Sequence, residues 1–285
     1  MKLSRPEAEV FVPDGTPLET GLGRTTHLGV VAHPDDLEIL AWPAIRDCFE
    51  HGDLWFSGVV VTDGAGSSRT GPYAAFTDEK MRTVRRLEQR KAAMVGEYAA
   101  VILLDHASDG VKSPPRREVL DDLSAVLRAC RPSVVYTHNL ADRHDTHVAT
   151  ALATVEACRA LSPDDRPSRL LGGEVWRDLD WLSDADKVAE DASGHESLSA
   201  ALIGLFDSQI AGGKRYDLAV QGRRTAHATY HASHDVDRTT ALSLAMDLTP
   251  LLRDPGIDPS RFAQDLIDRF AADVRDRLRR LLGRK

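Results

Sequence analysis

His27-Leu28-Gly29-Val30-Val31-Ala32-His33-Pro34-Asp35-Asp36 is the stretch on which the fold turns. Its apolar run, His27 to His33, reads as a short buried strand that breaks into a polar loop. A helix follows over Ala41 to His51, with Pro43 confined to its first turn because proline cannot donate a backbone hydrogen bond. The same unit recurs downstream. Leu54 to Thr62 reads as a second strand closed by Asp63-Gly64, and Thr77 to Gly96 as a helix. Ala99 to Asp105 is a third strand, followed by a helix over Arg116 to Arg131 that Pro132 stops. Ser133 to His138 is a fourth strand, and Thr146 to Leu161 an alanine-rich helix. Strands alternating with helices imply βαβ crossovers and a parallel sheet. The expected fold is α/β, a three-layer Rossmann-like domain with a mostly parallel sheet. No G-x-G-x-x-G follows the first strand, which argues against a dinucleotide cofactor.

Beyond residue 161 the pattern loosens. Arg169 to Trp176 reads as a further strand, and Glu196 to Ile210 as a helix ended by Gly212-Gly213. Ser260 to Leu282 is a charged amphipathic helix with Phe262, Leu266, Phe270, Val274 and Leu278 on one face. It reads as a solvated helix packed on that face. Self-association into a homo-oligomer is the sharper alternative. A chain of 285 residues suits one large α/β domain. We expect a single domain over 1–285, with the chemistry within 27–160 and 161–285 completing a pocket and adding helices.

Composition narrows the function classes. The formal net charge of -8 and the lack of a basic stripe interleaved with aromatics argue against nucleic acid. No apolar run approaches a membrane span. Met1 to Asp14 lacks the apolar core of a signal peptide, so a cytoplasmic location is expected. Cys48, Cys130 and Cys158 are far apart and form no C-x-x-C pair, so they read as buried free thiols.

Two polar clusters follow strands directly. The first is His33-Pro34-Asp35-Asp36 with Glu38. The second runs through His138, Asn139, Asp142, Arg143, His144, Asp145 and His147. In open α/β sheets the carboxyl ends of strands are where ligands bind, so the two loops are expected to converge. Two neutral imidazoles and one carboxylate are a common ligand set for catalytic zinc. A further carboxylate could serve as general base, and a further histidine as oxyanion stabiliser or acid. The long loop from Gly64 to Phe76, rich in small residues, is expected to border this cleft and to move.

Ala32-His33-Pro34-Asp35-Asp36 with Glu38 resembles the first motif of the LmbE/PIG-L family of zinc-dependent N-deacetylases. His144-Asp145-Thr146-His147, with Asp142 before it, resembles the second. Thr62-Asp63-Gly64, the Arg85/Glu88 pair and Asp109-Gly110 match shorter motifs in consistent order over roughly the first 160 residues. The resemblance implies His33, Asp36 and His147 as metal ligands, Asp35 as general base and His144 as oxyanion stabiliser or general acid. It places Glu38, Arg85, Asp109 and Asp142 in substrate binding or in support of the ligands. It implies Zn2+, with another divalent metal such as Fe2+ as the alternative, and a small-molecule amino-sugar conjugate as substrate. The sequence departs from the family at Asp145-Thr146, where Pro-Asp is usual, and at Ala41-Trp42-Pro43, where a glycine pair is common.

Plainer readings compete residue by residue. His33 could simply end a strand, Asp36 could cap the next helix, and His138 reads best as a satisfied core histidine. Arg85 and Glu88 could be an ordinary i, i+3 pair. His227, His231 and His234 have metal-like spacing without an evident carboxylate. With Arg223, Arg224 and Tyr230 they read as a polar helix or part of a substrate mouth. Ser208-Gln209 and Gly212 to Tyr216 are expected at another edge of that mouth. Two other functions remain open on the sequence. One is a different metal-dependent hydrolase, such as an amidase acting on a thiol conjugate. The other is a non-catalytic sugar-binding protein on the same fold.

Overall fold

The computed structural model describes residues 1–283. Its strands are β1 (Glu9–Phe11), β2 (His27–Val31), β3 (Phe56–Thr62), β4 (Ala100–His106), β5 (Val134–His138), β6 (Arg169–Gly173), β7 (Lys187–Asp191) and β8 (Leu242–Asp247). They form one sheet in the order β1-β4-β3-β2-β5-β6-β8-β7. The central five, β4 to β6 in that order, are parallel. Antiparallel strands are added at both edges, β1 on β4 and β8 then β7 beyond β6. The α/β fold with a mostly parallel sheet is therefore as expected.

Helices cover both faces. In chain order they are α1 (Leu18–Gly23), α2 (Asp36–Leu40), α3 (Trp42–Cys48), α4 (Asp78–Val95), α5 (Ser108–Lys112) and α6 (Arg117–Cys130). α7 (Asp145–Arg159), α8 (Glu196–Gly204), α9 (Asp207–Ile210), α10 (Tyr216–Tyr230), α11 (Thr249–Arg253) and α12 (Pro259–Leu281) follow. One apolar core joins the sheet to α6, α7 and α11 through Leu123, Leu127, Ala153 and Leu251. The other joins it to α2, α3 and α8 through Leu37, Trp42, Ile45 and Leu202. All seven residues of β3 and of β4 are buried, which is why these strands read as unbroken apolar runs.

α2 lies unusually close to the sheet. A Cβ at Gly58 would stand 2.3 Å from Leu37 Cδ1, and one at Gly29 would stand 2.5 Å from Leu37 Cδ2. Leu37 thus drops into a slot that two strand glycines leave open, and this fixes Asp36 and Glu38 on either side of it. Gly58→Ala should overpack that slot and cost about 1–3 kcal/mol. The measurement is urea unfolding, and an unchanged midpoint would contradict this packing.

Several elements depart from the sequence reading. The helix expected from Ala41 starts at Asp36 and is split at Ala41 into α2 and α3, with Pro43 accommodated in the first turn of α3. The helix expected over Glu196 to Ile210 breaks after Gly204, because Phe206 turns inward and is buried. Only the first half of α12 packs closely. Leu266 is buried, Phe270 meets the Trp181 ring edge-on, and Leu278 is 54% exposed. No helix among the described residues is long and apolar enough to cross a membrane.

The chain runs β2 to β3 to β4 towards one edge, then crosses to β5 and β6 on the other side of β2. The switch point lies between β2 and β5, where crossovers diverge and leave a crevice above the carboxyl ends of the strands. Both polar clusters open there.

Candidate metal centre

The loop after β2 and the N-terminus of α7 bring three ligand-type atoms together. His33 Nδ1 is 3.1 Å from His147 Nε2 and 3.2 Å from Asp36 Oδ2, and His147 Nε2 is 3.4 Å from that same oxygen. The three separations are nearly equal. Arms of about 2.0–2.1 Å at tetrahedral angles would put ligand atoms about 3.3 Å apart, so the triangle has the size of one face of a tetrahedral site. The three groups are also coupled electrostatically. Burial opposes ionisation of Asp36, but His147, His33 and His138 outweigh it and hold the carboxyl well below its usual range. Burial pulls His147 down, yet Asp36 and Asp142 outweigh it and raise its affinity for a proton.

His147 is oriented from behind. Its Nδ1 is 3.4 Å from Asp142 Oδ1, which leaves Nε2 facing His33 and Asp36. Asp142 also accepts from the backbone N–H of His144 at 2.9 Å and of Trp176 at 3.0 Å. Asp36 does not cap α2. Its Oδ2 accepts from the His33 backbone N–H at 2.8 Å, closing a tight turn around the cluster. Two further groupings come within 4.8 Å, His33 with His144 and His147, and Asp36 with His138 and His147. His138 Nε2 accepts from the Ala32 N–H at 2.9 Å, so its lone pair is engaged. It is a core histidine stacked on His147, with ring centroids 3.9 Å apart. His144 stacks on the other side of His147 and lines the cleft.

Asp35 stands apart from Asp36, as expected for adjacent side chains in an irregular loop. Its backbone has φ 92°, a strained value for a residue with a Cβ. Three contacts hold it there. Gln89 Oε1 accepts its N–H at 3.2 Å, while Arg85 donates to Asp35 Oδ2 at 3.1 Å and to the Pro34 carbonyl. Burial pushes the Asp35 carboxyl well above its usual range, with Arg85 opposing the shift. Burial, with His147 and His33 nearby, lowers His144 and keeps it neutral near pH 7.

Arg85 and Glu88 are not a pair. Arg85 serves Asp35, whereas Glu88 accepts from Ser208 N–H at 2.8 Å and Ser208 Oγ at 2.6 Å, tying α4 to α9. Gly64 takes φ 70° directly beside Arg85, and a Cβ there would lie 3.1 Å from Arg85 Cδ. Glu38 lies below the loop rather than in the cleft. Its Oε1 accepts from Gln89 Nε2 and from the Tyr98 hydroxyl, each at 2.8 Å, so it reaches Asp35 through Gln89. Gln89 carries no sequence signal, being one polar residue on a helix that otherwise reads as amphipathic.

Burial pushes Glu38 up to about 7, against the hydrogen bonds from Tyr98 and Gln89. Its folded value thus exceeds the unfolded one of about 4.3. The stability this contributes is fully present below the unfolded value and is lost as pH rises through about 7. Relative to Glu38→Gln, metal-stripped parent protein should therefore lose about 2–3 kcal/mol between pH 5 and pH 8. Urea unfolding at the two pH values reads this directly. Parallel pH profiles for the two proteins would refute it.

Asp109 requires correction. Its side chain is 93% exposed and pairs with Lys112 at 2.8 Å, so it does not line the cleft, although its neighbours Ser108 and Lys112 do. The spaced histidines in and after α10 also resolve. His227 Nε2 is 3.0 Å from Glu174 Oε1, while His231 and His234 are exposed, and no metal-type cluster contains them among the described residues. Glu174 is the carboxylate that the sequence did not reveal. It also accepts from the backbone N–H groups of Leu179 and Leu244. Arg224 is buried and donates to the Glu38 and Ile39 carbonyls at the end of α2, instead of lining a mouth.

The cleft above the centre measures about 250 Å³. Gly64, Gly66, Ser67 and Ser68 of the long loop form one wall, and Gln209, Lys214 and Tyr216 form another. Both stretches lie where the sequence reading put them.

Residues 28–158 match the family model described as PIG-L, GlcNAc-PI de-N-acetylase. This is the family recognised in the motifs. No curated protein sequence matches the chain. Among solved structures, the N,N'-diacetylchitobiose deacetylase of Pyrococcus horikoshii shares the fold with a TM-score of 0.63 at 16% identity, over 81% of this chain and 86% of that one. The 4-carboxy-2-hydroxymuconate hydratase of Pseudomonas putida KT2440 gives 0.61 at 21% identity, over 79% and 96%. The zinc-inhibited form of a teicoplanin deacetylase gives 0.56 at 15%, over 78% and 97%. At these identities the likeness is one of fold.

Proposed function

We propose, from the PIG-L family segment that spans residues 28–158, that this chain is a metal-dependent hydrolase that removes an N-acyl group, acetyl in the first instance, from an amino-sugar conjugate. The observation that carries this reading is the near-equilateral triangle of His33 Nδ1, Asp36 Oδ2 and His147 Nε2 with Asp35 buried beside it. These three residues would hold the metal, and two imidazoles with one carboxylate suit zinc. A divalent metal there supplies Lewis-acid polarisation of the acyl carbonyl and makes water a usable nucleophile near neutral pH.

The chain's own groups supply the rest. Asp35, its proton affinity raised by burial, takes the proton from the attacking water. Arg85 and Gln89 keep that carboxylate in place while its charge changes. His144, neutral, donates a hydrogen bond to the oxygen that gains charge as the acyl carbon becomes tetrahedral. Asp35 then returns the proton to the leaving nitrogen, giving a carboxylic acid and a free amine. Asp142 acts through His147 and through the His144 backbone, and Glu38 acts through Gln89. The three free, buried cysteines support a reducing, cytoplasmic setting.

A second reading is addition of water to an unsaturated acid, favoured by the hydratase that shares the fold. The experiment that separates them is amine release from an N-acetylglucosamine conjugate, with zinc titrated through one equivalent and beyond. Amine release that rises to one equivalent supports the hydrolase. Water addition to an unsaturated dicarboxylate without amine release supports the alternative.

A further inference from the structure

α12 carries an apolar face that its own body leaves uncovered. Leu266 is buried and Phe262 packs against the core, and Arg269 donates two hydrogen bonds to Asp186. From Asp273 to Gly283 every residue is exposed. The apolar pattern nevertheless continues to the end of the helix. At about 100° per residue, Ile267, Phe270, Val274, Leu278 and Leu281 fall within about 80° of one another around the axis. They are between 38% and 74% exposed. A continuous stripe of this kind marks an interaction surface, which scattered apolar residues do not.

The charges beside the stripe decide what fits it. Asp268 and Asp273 flank its first half, while Arg275, Arg277, Arg279 and Arg280 flank its second. The face is acidic at one end and basic at the other, so it complements itself only when turned end for end. A parallel pair would set arginines against arginines. A lipid surface fits less well. Helices that lie on membranes carry Lys and Arg on the polar face, whereas Asp265 and Asp276 stand opposite this stripe.

We propose that this face binds the same face of a second copy of the chain, antiparallel, about a two-fold axis at Val274. Such a contact is isologous. In this register Phe270 meets Leu278 of the second copy, Ile267 meets Leu281, and Val274 meets itself. Asp268 then lies on the same flank as Arg279 of the second copy, and opposite charges there set the direction of pairing. The stripe is about 21 Å long at 1.5 Å per residue, so the contact is smaller than the roughly 1,600 Å² of a standard interface and forms reversibly. It uses no residue of the metal cleft and stands apart from the N-deacylase reading.

Sedimentation of the full chain over about 1–300 µM, a range suited to a small interface, tests this. The parent should double its mass reversibly as concentration rises. Val274→Asp sets two carboxylates face to face at the axis and should abolish the doubling. Val274 is exposed in the single chain, so the urea midpoint of the variant should match that of dilute parent. Charge reversal tests the direction. Asp268→Arg places arginine against arginine twice per dimer and should weaken it about tenfold. Adding Arg279→Asp restores opposite charges and should recover most of that loss at low salt. A doubling that survives Val274→Asp overturns the proposal, as does a double variant no tighter than Asp268→Arg alone. A parent that stays monomeric throughout also overturns it. If that monomer cosediments with phosphatidylserine vesicles and Val274→Asp does not, the face belongs to a lipid surface instead.

Discussion

Asp35→Asn should lower turnover by about 10²–10⁴-fold, the usual worth of a general base, while metal content stays near that of the parent. The separation follows from geometry. The ligand triangle is closed by Asp36 Oδ2, whereas Asp35 Oδ2 is directed at Arg85, 3.1 Å away. Asparagine keeps the side-chain shape and tolerates positive φ better than most residues, so the 92° backbone of the loop can persist. What it cannot do is accept the proton of the attacking water. Metal analysis and turnover on the same preparation check the result. If Asp35→Asn loses its metal while Asp36→Asn keeps it, the two assignments are exchanged.

His147→Ala should carry the second large effect, loss of most bound metal. His147 Nε2 supplies two of the three edges of the triangle, and the ring is fully buried between His138 and His144. Alanine leaves two ligands, a cavity, and Asp142 without its ring partner. Asp36→Asn should weaken binding less completely, and excess metal should partly restore its activity, because an amide oxygen can still coordinate. Elemental analysis after dialysis checks both. Metal content in His147→Ala equal to that of the parent would overturn the ligand set. Unfolding of metal-stripped parent and variant separates metal loss from misfolding.

Legibility in the sequence follows the physics of each part. The parallel half of the sheet was readable because β2, β3, β4 and β5 are buried on both faces and appear as unbroken apolar runs closed by turn residues. The antiparallel β7–β8 pair was not readable. Lys187–Asp191 is a half-exposed edge strand with charged ends, and Leu242–Asp247 is short with no turn signal specifying its pairing with β6. At the site, the two polar clusters that contain His33, Asp36 and His147 could be nominated because each follows a readable strand, and the choice of these three as ligands came from the resemblance to the LmbE/PIG-L motifs. Gln89 and Glu174 could not, since each acts through contacts to residues 51 to 70 positions away in sequence, which no local pattern encodes. Asp109 was nominated by a short motif, but exposure on a five-residue helix directs it to solvent.

The central claim is that water attacks an acyl carbon held above the His33, Asp36, His147 triangle. Its most direct test is turnover of an N-acetylglucosamine conjugate by metal-loaded protein in ¹⁸O-labelled water. The account predicts one labelled oxygen in the released acetate, none in the sugar product, and one free amine per acetate. A product that carries the label on its carbon skeleton while the N-acetyl group remains attached would contradict it.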